Sequence, residues 1–141
     1  MDRYRLAPVR EARTRDEKSR RGDLAAAVDH ARATSEQVEA AARRVELART
    51  AYDTARRARE LATASATMFV LAEAHARRRR HELEAVTAEH LRAAASHAGR
   101  LEAVDSARGQ LARARADREI VDRHFAAWRD TQRKLAERRE D

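Results

Sequence analysis

The chain has 141 residues, of which 39% are charged and 4% aromatic, with a formal net charge of +7 and no cysteine. So few large apolar side chains exclude an ordinary globular core, and the lack of cysteine excludes disulfide and thiolate chemistry. The excess of positive charge indicates an acidic partner, which is a nucleic acid, an anionic membrane or an acidic protein surface.

No apolar run approaches the roughly 18 residues that a membrane-spanning helix needs, so no membrane insertion is expected. The opening segment, residues 1–9, mixes charged and apolar side chains and does not resemble a signal peptide. These features predict a cytoplasmic protein.

The first predicted helix covers about residues 7–60. Pro8 is the only proline, and proline suits the first turn of a helix rather than its interior. Alanine and arginine favour helix and argue against disorder. A stripe of mostly small apolar residues recurs along this helix with coiled-coil spacing. Its members are Leu24, Val28, Ala31, Ser35, Val38, Ala42, Val45, Arg49 and Tyr52.

The stripe fades after Tyr52, and an uncharged segment rich in serine and threonine follows. Residues 61–67 read Leu-Ala-Thr-Ala-Ser-Ala-Thr. Serine and threonine cap helices and favour turns. We therefore predict a turn over about residues 61–67, with Thr67 as the N-cap of a second helix. The alternative is one continuous helix, which would have to dimerise to bury its stripe.

The second predicted helix covers about residues 68–139 and carries two heptad phases. The first phase is Leu83, His90, His97, Val104, Leu111, Arg118, Phe125 and Gln132. The second phase is Val86, Ala93, Arg100, Ala107, Ala114, Val121, Trp128 and Leu135. Because the stripes of the two helices can pair within one chain, the predicted fold is all-α: a long two-helix antiparallel coiled-coil hairpin, as a single domain over residues 1–141.

No residue pattern predicts a catalytic, cofactor or metal site, so the protein is not expected to be an enzyme. The six histidines lack the spacings of helical zinc and di-iron sites, and no glycine-rich phosphate loop is present. His90 and His97 fall on the predicted seam between the helices. We interpret them as polar residues that define the pairing, with a proton-sensitive register device as the alternative.

Arginine is concentrated in three places. The run Arg77–Arg80 points around the whole circumference of a helix, which is typical of a solvated surface rather than a phosphate site. A second basic zone opens the chain, and a third closes it. Beside the closing zone, Phe125 is predicted to pack in the seam, and Trp128 is a candidate interface anchor.

The two ends of the chain suggest a family. The opening Arg-Tyr-Arg-Leu-Ala-Pro-Val-Arg-Glu-Ala-Arg (residues 3–13) and the closing Phe-Ala-Ala-Trp-Arg-Asp-Thr-Gln-Arg-Lys-Leu-Ala-Glu-Arg-Arg-Glu-Asp (residues 125–141) resemble the ends of the FliJ/YscO proteins. These are small coiled-coil components of flagellar and virulence type III export machines. Length, basic charge and the two-helix plan are similar over nearly the whole chain.

The resemblance implies a non-enzymatic central stalk, similar to the two-helix shaft of a rotary ATPase. Such a stalk binds and stimulates a hexameric export ATPase at its open end. Its tip faces the membrane export gate and can meet export chaperones, at the cytoplasmic side of the inner membrane. The resemblance places ATPase binding at Arg3, Arg5, Leu6, Arg10, Arg13, Phe125, Trp128, Arg129 and Arg133. It places gate binding at Tyr52, Phe69, Ala76 and His81.

Two other functions stay open at this point. One is a basic coiled coil that binds nucleic acid, which the arginine content supports and the alternation of charge sign opposes. The other is a generic or dimeric scaffold without an ATPase partner. The residues do not distinguish a flagellar from a virulence export system.

Overall fold

The computed structural model describes residues 3–140, and the side chain of Glu140 is outside that description. Helix α1 spans Ala7–Leu61 and helix α2 spans Ala66–Glu140. The two helices pack against each other, and residues 3–140 include no strand. The predicted all-α two-helix fold is therefore confirmed. Met1, Asp2 and Asp141, which belong to the predicted domain, lie outside the described residues.

A short turn over residues 62–65 separates the helices, so the alternative of one continuous helix is wrong. Ser65 is the N-cap of α2, because its Oγ accepts a hydrogen bond from the Met68 amide at 3.2 Å. Its carbonyl also accepts from the Phe69 amide at 3.1 Å. The prediction of Thr67 as the cap is wrong. Ser65 directly precedes the helix and reaches its third amide, whereas Thr67 already lies in the first turn.

The contacts divide the chain into two compact units. The terminal unit contains the described residues up to Asp29 and from Glu102 onward, and the turn unit contains His30–Leu101. In the terminal unit, Nε of Arg10 lies 2.7 Å from Asp122, and Arg20 donates to Gln110 at 2.8 Å. Residue numbers rise along α1 while they fall along α2, so the helices of this unit are antiparallel.

The turn unit is also antiparallel. Oγ1 of Thr34 and Nδ1 of His97 lie 2.9 Å apart, and Arg59 Nη1 lies 3.2 Å from Glu73 Oε2. Thr34 is buried, so this hydrogen bond places a polar pair inside the seam. The Nδ1 atom of His90 is buried and has no hydrogen-bond partner among residues 3–140. His90 and His97 thus lie in the seam at the predicted positions.

The seam of α2 follows the predicted phases closely. Val104, Leu111 and Ala114 are buried. Arg100 and Leu135 are exposed, and their assignment to the seam is wrong. The guanidinium of Arg100 gains more from water than from an apolar seam. Leu135 lies beyond Trp128, which already packs against Tyr4 near the start of the described chain.

The seam of α1 differs from the prediction in one of its two phases. The phase through Ala31, Val38 and Val45 is confirmed, because Ala31 and Val45 are buried and Val38 is half-buried. In the other phase, Thr34 and Ala41 are buried where Ser35 and Ala42 were expected, and Ala48 replaces the exposed Arg49. The stripe also continues past Tyr52, because Ala55 is buried. Alanine is so frequent here that apolarity alone cannot distinguish neighbouring positions.

The described helices are too polar to cross a membrane: neither contains a stretch of sufficient length and hydrophobicity.

Candidate protein-binding site in the terminal unit

Three aromatic rings pack together where the start of the described chain meets α2. The ring of Tyr4 meets Phe125 edge to face, with centroids 5.0 Å apart, and lies 5.2 Å from the ring of Trp128. Phe125 and Trp128 stack with an interplanar angle of 22°. Tyr4 is only 7% exposed, whereas Phe125 and Trp128 are half-buried. Aromatic pairs of this kind add about 0.5–1.5 kcal/mol beyond their buried area.

The hydroxyl of Tyr4 has a specific partner. It lies 2.9 Å from Nδ1 of His124, within hydrogen-bond distance, and the two rings are also in contact with centroids 5.7 Å apart. A buried tyrosine needs such a partner because an unpaired hydroxyl would lose its hydration. The pair therefore holds the opening segment on α2 at a defined register.

Two arginines lie over the face of Phe125. The guanidinium carbon of Arg10 is 4.4 Å from the ring centroid, and that of Arg129 is 5.9 Å away. Nε of Arg10 also donates a hydrogen bond to Oδ1 of Asp122 at 2.7 Å. Both arginines are exposed, so their remaining N–H groups face water. The cluster thus combines an aromatic surface with cationic donors that an acidic partner can engage.

Two grooves flank Phe125. The larger has a volume of about 820 Å³, and its described lining residues, among them Trp128, Gln132, Leu135 and Arg139, all belong to α2. The smaller, of about 620 Å³, is lined by Tyr4, Arg10 and neighbouring residues of α1 together with Phe125. An aromatic and aliphatic surface with an arginine rim is the composition typical of protein interfaces.

Further along α1 than Arg10 lies a buried carboxylate that no sequence pattern indicated. Glu17 is buried. Its Oε2 is 2.7 Å from Nε of Arg118, and its Oε1 accepts a hydrogen bond from Arg21 at 3.0 Å and lies 3.5 Å from Nε of Arg115. The Nε–H of Arg118 is not aligned for a hydrogen bond, so the short Glu17–Arg118 contact is an ion pair without one.

The ion pairs connect Glu17 to the aromatic surface. Nε of Arg118 lies 3.9 Å from Asp122, and Asp122 holds Arg10 against Phe125. The acid at one end of this series is buried and the arginine at the other end is exposed. Asp122 therefore orients Arg10, and acidic and basic groups alternate along the series.

The last turns of α2 carry their own ion-pair cluster. Asp130 lies 2.9 Å from Nζ of Lys134 and 2.6 Å from Nη2 of Arg133. The hydrogen bond and charge of Lys134, and then those of Arg133, hold the pKa of Asp130 below its ordinary value. Arg133 is thus paired within its own helix, at the rim of the larger groove.

The residues predicted for ATPase binding lie in several parts of the terminal unit. Arg10, Phe125, Trp128 and Arg129 form the cluster itself, and Arg133 lines the larger groove beside them. Arg13 lies further along α1, 3.1 Å from Asp117.

The rest of that set precedes α1. Arg3, Arg5 and Leu6 are exposed, and the aromatic contact in this opening segment is made by Tyr4 instead. Tyr4 was part of the opening motif, but its pairing with His124 depends on the register of the hairpin. Glu17 is one of many acidic residues, and its sequence context shows no sign of its burial.

The residues predicted for gate binding differ in their exposure. Ala76 is buried in the seam of the turn unit, so it is not available to a partner while the helices are paired. Tyr52 is half-buried, Phe69 is 48% exposed, and His81 is exposed beside Glu84 at 3.5 Å. Among residues 3–140 no group of three histidine or acidic side chains is arranged to hold a metal ion.

Comparisons with known protein families, with curated proteins and with solved structures find no match to this chain.

Proposed function

We propose that the chain is the non-enzymatic central stalk of a type III protein export apparatus. In this role it binds and stimulates the hexameric export ATPase through the terminal unit and connects it to the membrane export gate. The observation that carries the proposal is the cluster of Tyr4, Phe125 and Trp128 with Arg10 and Arg129. The two segments that resemble the FliJ/YscO ends meet in this cluster.

The chemistry of the cluster supports a protein partner with acidic loops. Phe125 and Trp128 leave part of their rings exposed to anchor a contact. The arginines at the rim offer charge-assisted hydrogen bonds that can be exchanged between the subunits of a ring. Tyr4 and the ion pair of Arg10 with Asp122 hold this surface in place before a partner arrives, which lowers the entropy cost of binding.

The ion-pair pattern also bears on the nucleic-acid alternative. Arg10, Arg13 and Arg20 each face an acidic residue within 4.0 Å. Carboxylates next to arginines repel phosphates, so the terminal unit is better suited to a mixed protein surface than to a continuous phosphate backbone.

The test is a double charge reversal, Arg129→Glu with Arg133→Glu, in the full chain. Binding to the export ATPase of the same organism should weaken on the order of tenfold or more. The affinity that remains should depend less on salt, because exposed charges are screened within about 8–10 Å. Stimulation of ATP hydrolysis should fall in parallel, and Trp128 fluorescence should change when the ATPase is added to the unmodified chain.

The matched control is Arg108→Glu with Arg123→Glu. These arginines are on the same helix and in the same unit, and each has one acidic neighbour on that helix, but they lie outside the described lining of both grooves. The control makes the same change in net charge and should bind normally. If both double variants retain full binding and stimulation, the proposed site is wrong. If both lose affinity equally for the ATPase and for DNA, the nucleic-acid alternative is favoured.

A further inference from the structure

The turn end of the turn unit exposes large apolar side chains, which we call the apolar tip. It consists of Leu61 at the end of α1 and Met68, Phe69, Val70 and Leu71 in the first turns of α2. These side chains are between 48% and 81% exposed. Contiguous exposed apolar residues mark an interaction site more often than isolated ones do.

The apolar tip is not needed to pair the helices. The seam next to the turn is built from alanines: Ala55 and Ala76 are buried, and Ala62 and Ala72 are half-buried. Small residues lie inside and large ones outside, which reverses the usual arrangement of a helical hairpin. The large side chains therefore contribute little to the pairing of the helices, and their burial against a partner would be favourable.

The direction of these side chains limits what that partner is. Residues 68–71 are consecutive, and four consecutive residues cover about one full turn of a helix. They therefore point to all sides of α2, while Leu61 adds a further apolar group on α1. A rigid protein surface would cover only one side, whereas a fluid lipid interface can surround the whole end.

Seven arginines on the two helices lie next to the apolar tip, and we call them the arginine collar: Arg56, Arg57, Arg59 and Arg77–Arg80. Residues 61–72 carry no charge, and between residues 53 and 80 there are seven arginines and three acidic residues, a net charge of +4. The run Arg77–Arg80 circles α2, so its cations surround the helix. Five of these arginines lie within 4.0 Å of a carboxylate, whereas Arg57 and Arg78 have no acidic partner at ion-pair distance within the turn unit. Such cations are free to bind lipid phosphates.

We propose that the apolar tip inserts into the interface of an anionic lipid bilayer, with the arginine collar on the phosphate headgroups. The insertion is shallow, because the uncharged segment is far too short to span a bilayer. This mode differs from the membrane-spanning insertion that the sequence excluded. It does not rest on the proposed stalk function. Phe69, which the family resemblance assigns to gate binding, is assigned here to lipid instead.

The direct measurement uses the full chain with Phe69→Trp in a Trp128→Phe background, so that one tryptophan reports on the tip. Vesicles of phosphatidylcholine mixed with anionic phosphatidylglycerol should shift its emission to the blue. Brominated acyl chains in the same vesicles should quench it. Vesicles of phosphatidylcholine alone should give a much smaller change. Leu91→Trp in the same background is the control, because Leu91 is exposed in the turn unit away from the tip.

Serine substitutions separate insertion from simple charge attraction. The triple change Met68→Ser, Phe69→Ser, Leu71→Ser should weaken binding to the anionic vesicles on the order of tenfold or more. The matched control replaces three other exposed residues of the turn unit, Leu47, Leu91 and Leu101, with serine and should bind normally.

The collar is tested separately with Arg57→Gln and Arg78→Gln, the two arginines without an acidic partner, which should each weaken binding roughly fivefold at low salt. Circular dichroism verifies that all variants keep their helicity. Four results would overturn the proposal. They are no binding to anionic vesicles, no quenching of the tryptophan at position 69, unchanged vesicle affinity of the triple serine variant, and unchanged vesicle affinity of the arginine variants. Self-association of the free chain that the triple serine variant abolishes, without vesicle binding, would identify a second copy as the occupant instead.

Discussion

Leu111 is the residue at which the seam of the terminal unit is most directly tested. Its side chain is 5% exposed, and Val104 and Ala114 on the same face are also buried. Burial of hydrocarbon contributes about 0.8 kcal/mol per methylene, and the cavity left by truncation adds to the loss. Leu111→Ala should therefore lower the free energy of unfolding by about 2–4 kcal/mol.

Leu111→Asp should be more damaging at neutral pH, because it also places an unpaired carboxylate in the seam. Transfer of a polar group without a partner costs about 1–3 kcal/mol by mutational measurements, and a charge costs more unless it protonates or reaches water. Burial raises the pKa of this carboxyl above its unfolded value of about 3.9. The stability of the variant is then highest below the unfolded pKa and falls as the pH rises through the folded pKa. The difference in free energy of unfolding between Leu111→Asp and Leu111→Ala should therefore become smaller below about pH 4.

Urea unfolding followed by far-ultraviolet circular dichroism measures these changes. Leu91→Ala is the control, because Leu91 is the same residue type on the same helix but 65% exposed. Its free energy of unfolding should change by less than about 0.5 kcal/mol. If Leu111→Ala is no more destabilising than Leu91→Ala, the heptad phase of α2 is not the one described.

Two further results are expected in the terminal unit. Glu17→Gln should lower the free energy of unfolding by about 1–2 kcal/mol in urea unfolding, less than for a fully buried pair because its arginine partners are partly exposed. Glu11→Gln, at an exposed position of the same helix, should have no measurable effect, and equal effects would refute a structural role for Glu17. The pKa of Asp130 is lowered by Lys134 first and then by Arg133. The stabilisation from these pairs is therefore present above the unfolded pKa and is lost as the pH falls through the folded pKa. Carbon-13 NMR titration should place the midpoint of Asp130 below the ordinary aspartate value, and Lys134→Gln should raise it; an unchanged midpoint would contradict this cause.

The heptad pattern by itself determined that the chain is helical and which face of α2 is buried. Val104, Leu111 and Ala114 recur with coiled-coil spacing among charged residues, so that only one face of the helix can be removed from water. The near absence of glycine and proline and the uncharged segment with Thr63, Ser65 and Thr67 indicated two helices joined by a turn. These features are local, and local spacing and composition are what a sequence displays directly.

The tertiary structure alone decided the register, and the register decided the candidate site. In α1, Ala41 and Ala42 are equally apolar, so only the opposing helix selects which one is buried. Contact between Tyr4 and His124 joins residues 120 positions apart, and it depends on the length and geometry of the turn. Burial of Glu17 has the same origin, because an acidic residue can lie in the seam only where arginines from α2 reach it. Pairings of this range are properties of the folded chain, since no short stretch of sequence contains both partners.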